Sequence, residues 1–132
     1  MTIRSLGVRV LTLAALLAAP ASALFHTRLV KSIPAANDTV AVAPKQVRLW
    51  FSTRPELALT SITITKADDT PVVKLPLHAT DDSLSVAGTI PVTLEPGAYV
   101  VAWKTASPDG HVVRGKIPFT IAPRRGTSSV KQ

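Results

Sequence analysis

The stretch Trp103-Lys104-Thr105-Ala106-Ser107-Pro108-Asp109-Gly110-His111-Val112-Val113-Arg114-Gly115-Lys116-Ile117-Pro118-Phe119 reads as one strand, a tight corner and a second strand. Asp-Gly is chiefly a turn dipeptide between extended segments, which places the bend at Asp109-Gly110. Upstream, Ala98 to Thr105 is a nearly continuous apolar run containing Tyr99, Val100, Val101, Ala102 and Trp103, the pattern of a strand covered on both faces. Downstream, Ile117, Phe119 and Ile121 alternate in a last strand that Pro123 ends. Asp109 and His111 flank the bend and can converge on one point. A carboxylate and an imidazole two residues apart suit a divalent cation, and imidazole is the commonest protein metal ligand. Two ligands do not make a site, so a third has to come from elsewhere. The chain holds three histidines, His26, His78 and His111.

The remaining segments are extended too. Leu29 and Val30 start a segment that Pro34 terminates, and Ala35 to Thr39 reads as a polar turn. From Gln46 to Ser52, Val47, Leu49 and Phe51 face one way while Arg48 and Trp50 face the other, the period of a half-buried strand. Ser61 to Thr65 alternates again and is rich in β-branched residues, which suit a pleated surface. Asp68 to Pro71 is a turn cluster, and prolines bracket a short strand at Val72 to Leu75, which places it at a sheet edge. Leu84 to Ala87 and Ile90 to Leu94 read as weaker strands separated by Gly88, and Glu95-Pro96-Gly97 as a turn. Seven or eight short strands, no amphipathic helix and 11 prolines indicate an all-β Greek-key fold with no substantial helix in the mature domain. A sandwich and a barrel both fit.

Arg4 and Arg9, the apolar run Val10 to Ala19 and the small residues Ala21-Ser22-Ala23 form a secretory signal. The expected organisation is a signal peptide over residues 1–23, a single β domain over 24–123 and a disordered basic tail over 124–132. The apolar run is too short to cross a bilayer, and no later stretch approaches a span, so the mature chain is expected to be soluble with no transmembrane segment. The formal charge of the full chain is +7, but the cations sit singly among the strands, and no stripe interleaved with aromatics points to nucleic acid. Cysteine is absent and Met1 is the only methionine. Thiolate zinc sites, iron–sulfur clusters and a sulfur-built Cu(I) site are thereby excluded from the mature chain.

Three blocks together resemble the CopC family of periplasmic copper-resistance proteins. They are the opening His26-x-x-Leu29-Val30-x-Ser32-x-Pro34-Ala35, the strand Val47-x-Leu49-x-Phe51-Ser52, and Trp103 followed by Ser107-x-Asp109-Gly110-His111 and Gly115-x-x-x-Phe119. The resemblance spans His26 to Ile121. It implies a Greek-key β-sandwich or barrel of cupredoxin-like or immunoglobulin-like type that binds one Cu(II) per chain. It also implies the ligand set His26, Asp109 and His111, an exported periplasmic location, and a monomeric carrier or buffer with an inner-membrane copper transporter as candidate partner. Two positions depart from the pattern. Thr53 stands where some members place an acidic residue, leaving Glu56 as the nearest replacement. The segment between Lys66 and His78 lacks the methionines that some members use for Cu(I).

Each singled-out residue also has a plain reading. Asp109 and His111 alone would suit a turn aspartate and a surface histidine, and His26 an ordinary residue near a terminus. His78 has no ligand-type neighbour except Asp81 and Asp82 and is left out of the site. Trp103 reads as core packing that supports the corner, Ser107 as a residue that could orient Asp109, and Tyr99 as core or interface. No nucleophile–base pair, paired carboxylates or phosphate-cradling loop suggests catalysis. A histidine-brace copper oxygenase would need exposed aromatics on a flat face, whereas the two Trp and one Tyr all fall in strands. The alternative to a copper carrier is a metal-free β-sandwich interaction module that has lost the site. A further alternative concerns the terminus. Cleavage after Ala23 leaves Leu24-Phe25-His26 first, and an amine, two backbone amides and a third-position imidazole could chelate Cu(II) without Asp109 or His111. Leu24 and Phe25 docked on the barrel would instead hold His26 near Asp109.

Overall fold

The computed structural model describes residues 26–126. The expected signal peptide, Leu24, Phe25 and residues 127–132 of the expected tail lie outside the described residues, while residues 122–126 carry no regular structure. Among the described residues nine strands follow one another: β1 (Leu29–Ile33), β2 (Asp38–Val40), β3 (Gln46–Phe51), β4 (Ser61–Lys66), β5 (Pro71–Lys74), β6 (Leu77–Ala79), β7 (Ser85–Thr89), β8 (Gly97–Ala106) and β9 (Val112–Ile121). The one helical turn among the described residues is a 3-10 turn at Leu57–Leu59. The strands form two sheets, ordered β1-β3-β7-β6 and β2-β9-β8-β4-β5, so the architecture is a sandwich.

Alternation along each strand builds the core between the sheets. Val47, Leu49 and Phe51 of β3 meet Ile62 and Ile64 of β4, Tyr99, Val101 and Trp103 of β8, and Ile117, Phe119 and Ile121 of β9, all buried. Each such side chain contributes roughly 1.5–3 kcal/mol of transfer free energy. The outward row of β3 is half-buried, with Trp50 lying under the cationic ends of Lys31 and Arg48. β8 and β9 pair antiparallel without a slip from Gly97↔Ile121 to Ala106↔Val112, which places the corner at the end of the longest ladder.

Several sequence expectations need correction. Val100 and Ala102 are only half-buried, so β8 is covered on one face, not two. A strand begins inside the segment read as a polar turn. Asn37 turns at φ 65, and Asp38–Val40 then pairs parallel to β9, too short for its alternation to show. Gly88 does not separate two strands. β7 runs through it to Thr89, and Ile90–Leu94 is not a strand. The glycine is needed there because a Cβ would stand 2.9 Å from Leu75 Cβ. The three-residue β6 was likewise invisible as a pattern. β5 does lie at a sheet edge.

Trp103 packs edge-on against Phe51 at 5.3 Å and lies over its cross-strand partner Gly115. A Cβ on Gly115 would come within 2.7 Å of the indole ring, whose buried Nε1 has no hydrogen-bond partner among the described residues. Gly115→Ala is therefore expected to displace the ring and cost about 1–3 kcal/mol, the usual range for overpacking. Urea unfolding followed by tryptophan fluorescence would show a lower midpoint with unchanged slope. An unchanged midpoint would mean that the ring moves aside freely.

Candidate metal centre

Five residues, Ser107 to His111, form the corner between β8 and β9. Ser107 N–H donates to His111 O and Gly110 N–H to Ser107 O, each at 2.8 Å. Pro108 occupies the second turn position, where its fixed φ is favourable, and Gly110 takes φ +87, a left-handed value that most side chains resist. Asp109 then closes the loop from its own side chain. Its Oδ1 accepts from His111 N–H at 3.2 Å, and its Oδ2 lies 2.7 Å from His111 Nδ1. These bonds, the ring contact first and the backbone N–H second, hold the Asp109 carboxyl below the ordinary aspartate value of 3.8. When Nδ1 carries the proton and donates to Asp109, Nε2 presents its lone pair to an incoming ion.

His26 reaches this corner from the other end of the chain. Its Nε2 lies 3.8 Å from Asp109 Oδ2, and its ring meets the His111 ring edge-on at 5.6 Å. The cause is the next residue. Thr27 is buried, its N–H donates to Ser107 Oγ at 3.0 Å, and its hydroxyl shares a 2.6 Å hydrogen bond with Thr53. Ser52 N–H donates to Arg28 O, and Arg28 N–H to Ser52 Oγ, which fastens the following residue to the end of β3. The segment is thus tied on two sides immediately after His26.

His26, Asp109 and His111 each offer one donor atom, and those atoms lie within 4.8 Å of one another on an exposed surface. An ion with bonds of about 2 Å holds opposite donors about 4 Å apart, so small side-chain rotations suffice for all three to reach it. No other group of three potential ligands is found among the described residues. His78 is exposed on β6 and outside this group, and so is Glu56, whose carbonyl accepts bonds from Leu59 N–H and the Thr60 hydroxyl. Ser107 makes no side-chain hydrogen bond to Asp109 among the described residues; its hydroxyl oxygen accepts from Thr27 N–H. Its effect falls on His26 instead. Thr27 and Thr53 were not singled out for this role, since only the folded chain shows that a part-buried hydroxyl pair joins Thr27 to the segment just after β3.

Comparison with known proteins places this geometry in context. The family model of the CopC domain matches residues 29–122. Copper resistance protein C of Xanthomonas campestris pv. juglandis is 36% identical over 124 residues, covering 89% of this chain and 96% of its own length. Protein YobA of Escherichia coli K12 is 31% identical over 121 residues, covering 91% and 97%. The crystal structure of CopC from Methylosinus trichosporium OB3b superposes with a TM-score of 0.69 at 37% identity, covering 76% of this chain and 97% of the other.

The hydrogen-bonded corner has a consequence in acid. A carboxylate whose folded pKa is depressed adds stability above its unfolded pKa, and that contribution disappears as pH falls through the folded value. The Asp109–His111 bonds should therefore persist below the ordinary 3.8 before they open. An NMR titration of the metal-free protein should place the Asp109 midpoint under that value, and His111→Ala should move it upward by removing the ring contact. A midpoint unmoved by the substitution would show that the ring does not hold the carboxylate.

Proposed function

The chain belongs to the CopC family, and from that premise we propose that it is an exported Cu(II)-binding protein that carries or buffers copper in resistance or homeostasis. One ion per chain binds at His26, Asp109 and His111. The observation that supports this reading is the convergence of two imidazoles and one carboxylate within 4.8 Å. Nitrogen-rich surroundings with one carboxylate favour Cu(II), which also heads the affinity order of the divalent first-row metals. The absence of cysteine and of methionine beyond Met1 leaves the mature chain no soft ligand for Cu(I).

Exposure of the site suits cargo. The His111 side chain is 72% exposed and that of His26 49%, so an incoming ligand can displace them one at a time. On this reading residues 1–23 direct export to the periplasm and are removed, residues 24–123 form the copper domain, and residues 124–132 are a basic tail. The mature chain acts as a monomer, delivers its ion to an inner-membrane copper transporter, and performs no catalysis. The name of the Xanthomonas relative supports the link to copper resistance. The gathered ligands weigh against the alternative of a metal-free module.

His111→Ala should abolish tight Cu(II) binding and lower apo stability only slightly, because the side chain is exposed, buries little surface and gives up one exposed hydrogen bond to Asp109. Titration with Cu(II), intact mass of the exported chain and copper spectra of His111→Ala and Asp109→Ala together test the reading. Unchanged spectra and affinity in both variants would assign the copper to a terminal chelate at Leu24-Phe25-His26 and leave the corner without a role. A second expectation concerns Ser107→Ala, which removes the acceptor for Thr27 N–H and loosens His26. Affinity should fall about tenfold, the scale on which supports of metal ligands act, while spectra still report Asp109 and His111. Unchanged affinity would show that His26 is not held through this bond.

A further inference from the structure

The outer face of the five-stranded sheet is where this chain concentrates charge. Alternation sends Ile62, Trp103 and Ile117 inward and turns Ser61, Thr63, Ala102, Lys104, Arg114 and Lys116 outward. Register then sets them in rows. Ser61 lies opposite Lys104, and Lys104 opposite Arg114; in the next row of the same face Lys74, Thr63, Ala102 and Lys116 follow one another across four strands. All four cations are exposed. Of these four only Lys116 has an acidic partner among the described residues, Asp69 at 2.7 Å. Lys104 and Arg114 stand directly across from each other, an arrangement that like charges disfavour. The small side chains Ser61, Thr63 and Ala102 floor a groove of about 270 Å³ between the cations. A second groove shares Ser61 and Lys104 and runs past exposed Leu59 and Val112 to Gly110 of the corner.

We propose that this face docks an extended, acidic segment of a partner protein beside the Asp109–His111 corner. Charge complementarity names the occupant. A carboxylate between Lys104 and Arg114 would convert their repulsion into two attractions. Residues two apart on a strand are separated by roughly 6.8 Å, and an extended peptide repeats at the same distance, so carboxylates at alternate positions meet the two cationic rows in step. Leu59 and Val112 offer apolar contacts at the corner end of the face. A membrane surface fits less well, because Tyr99 and Trp103 are turned into the core and the floor between the cations is made of small side chains. The inference rests on charge and register and stands whether or not the corner holds copper.

The test is an NMR titration of the full exported chain with a short synthetic peptide of alternating aspartate and serine ending in leucine. Shifts are expected at the amides of residues 61–63, 102–104 and 112–116. The double variant Lys104→Glu/Arg114→Glu should weaken binding about tenfold or more, whereas Lys31→Glu/Lys45→Glu, with the same change in net charge, should alter it by less than about twofold. His111→Ala should bind the peptide as the parent does, which separates this proposal from the fate of the copper site. Thermal unfolding of the four chains checks that each is folded. Equal losses in both double variants, shifts elsewhere or no binding would overturn the proposal. So would phosphatidylglycerol vesicles that bind through Lys104 and Arg114 when the peptide does not.

Discussion

The unbroken pairing of β8 with β9 is the constraint on which the other features depend. A chain without cysteine has to fix its geometry by register alone, and this ladder fixes three things at once. It lays Trp103 over Gly115 on the core side, sets Lys104 against Arg114 on the solvent side, and delivers Asp109 and His111 to the turn between them. A slip of one residue would exchange the two faces and put Lys104 into the core. The turn chemistry of Pro108 and Gly110 reinforces the register from its closed end.

His26 is held in a different way. It lies outside any strand, and its position is fixed by Thr27, whose backbone N–H and hydroxyl are bonded to Ser107 and Thr53. The position where some family members carry an acidic residue is occupied here by Thr53, one half of a part-buried hydroxyl pair. Thr53 there helps to anchor the residue that follows His26. Asp109 is the common neighbour, bonded to the His111 ring and backbone and facing His26 across 3.8 Å. The carboxylate thus lies between the two imidazoles, bonded to one and facing the other.

Much of this could be read from the sequence because the informative signals are local. The alternation in β3 and β9, the Asp109-Gly110 turn and the proline-bracketed edge strand each depend on neighbouring residues, and each was recovered. Strands of three residues, Asp38–Val40 and Leu77–Ala79, complete too little of a period to stand out. Gly88 reads as a break by its propensity, yet close packing of Leu75 is what calls for it. Ser107 shows the limit most clearly. Asp109 stands two residues on, but the Ser107 hydroxyl bonds to a residue 80 positions away, which no local pattern reveals.

That separation also governs the order in which the molecule can be assembled. Contacts between distant parts of a chain form late, because the intervening loop must first be closed. Here His26 and the Asp109–His111 corner lie near opposite ends of the domain's sequence, and β2 joins β9 across a similar distance. The three donors therefore come together only in a chain that has been delivered whole and folded through its last strand. Any ion that engages all three adds its binding free energy to that state alone and not to earlier ones. The corner would then act as a latch on the finished domain, leaving truncated or half-folded copies unable to sequester the metal through this arrangement.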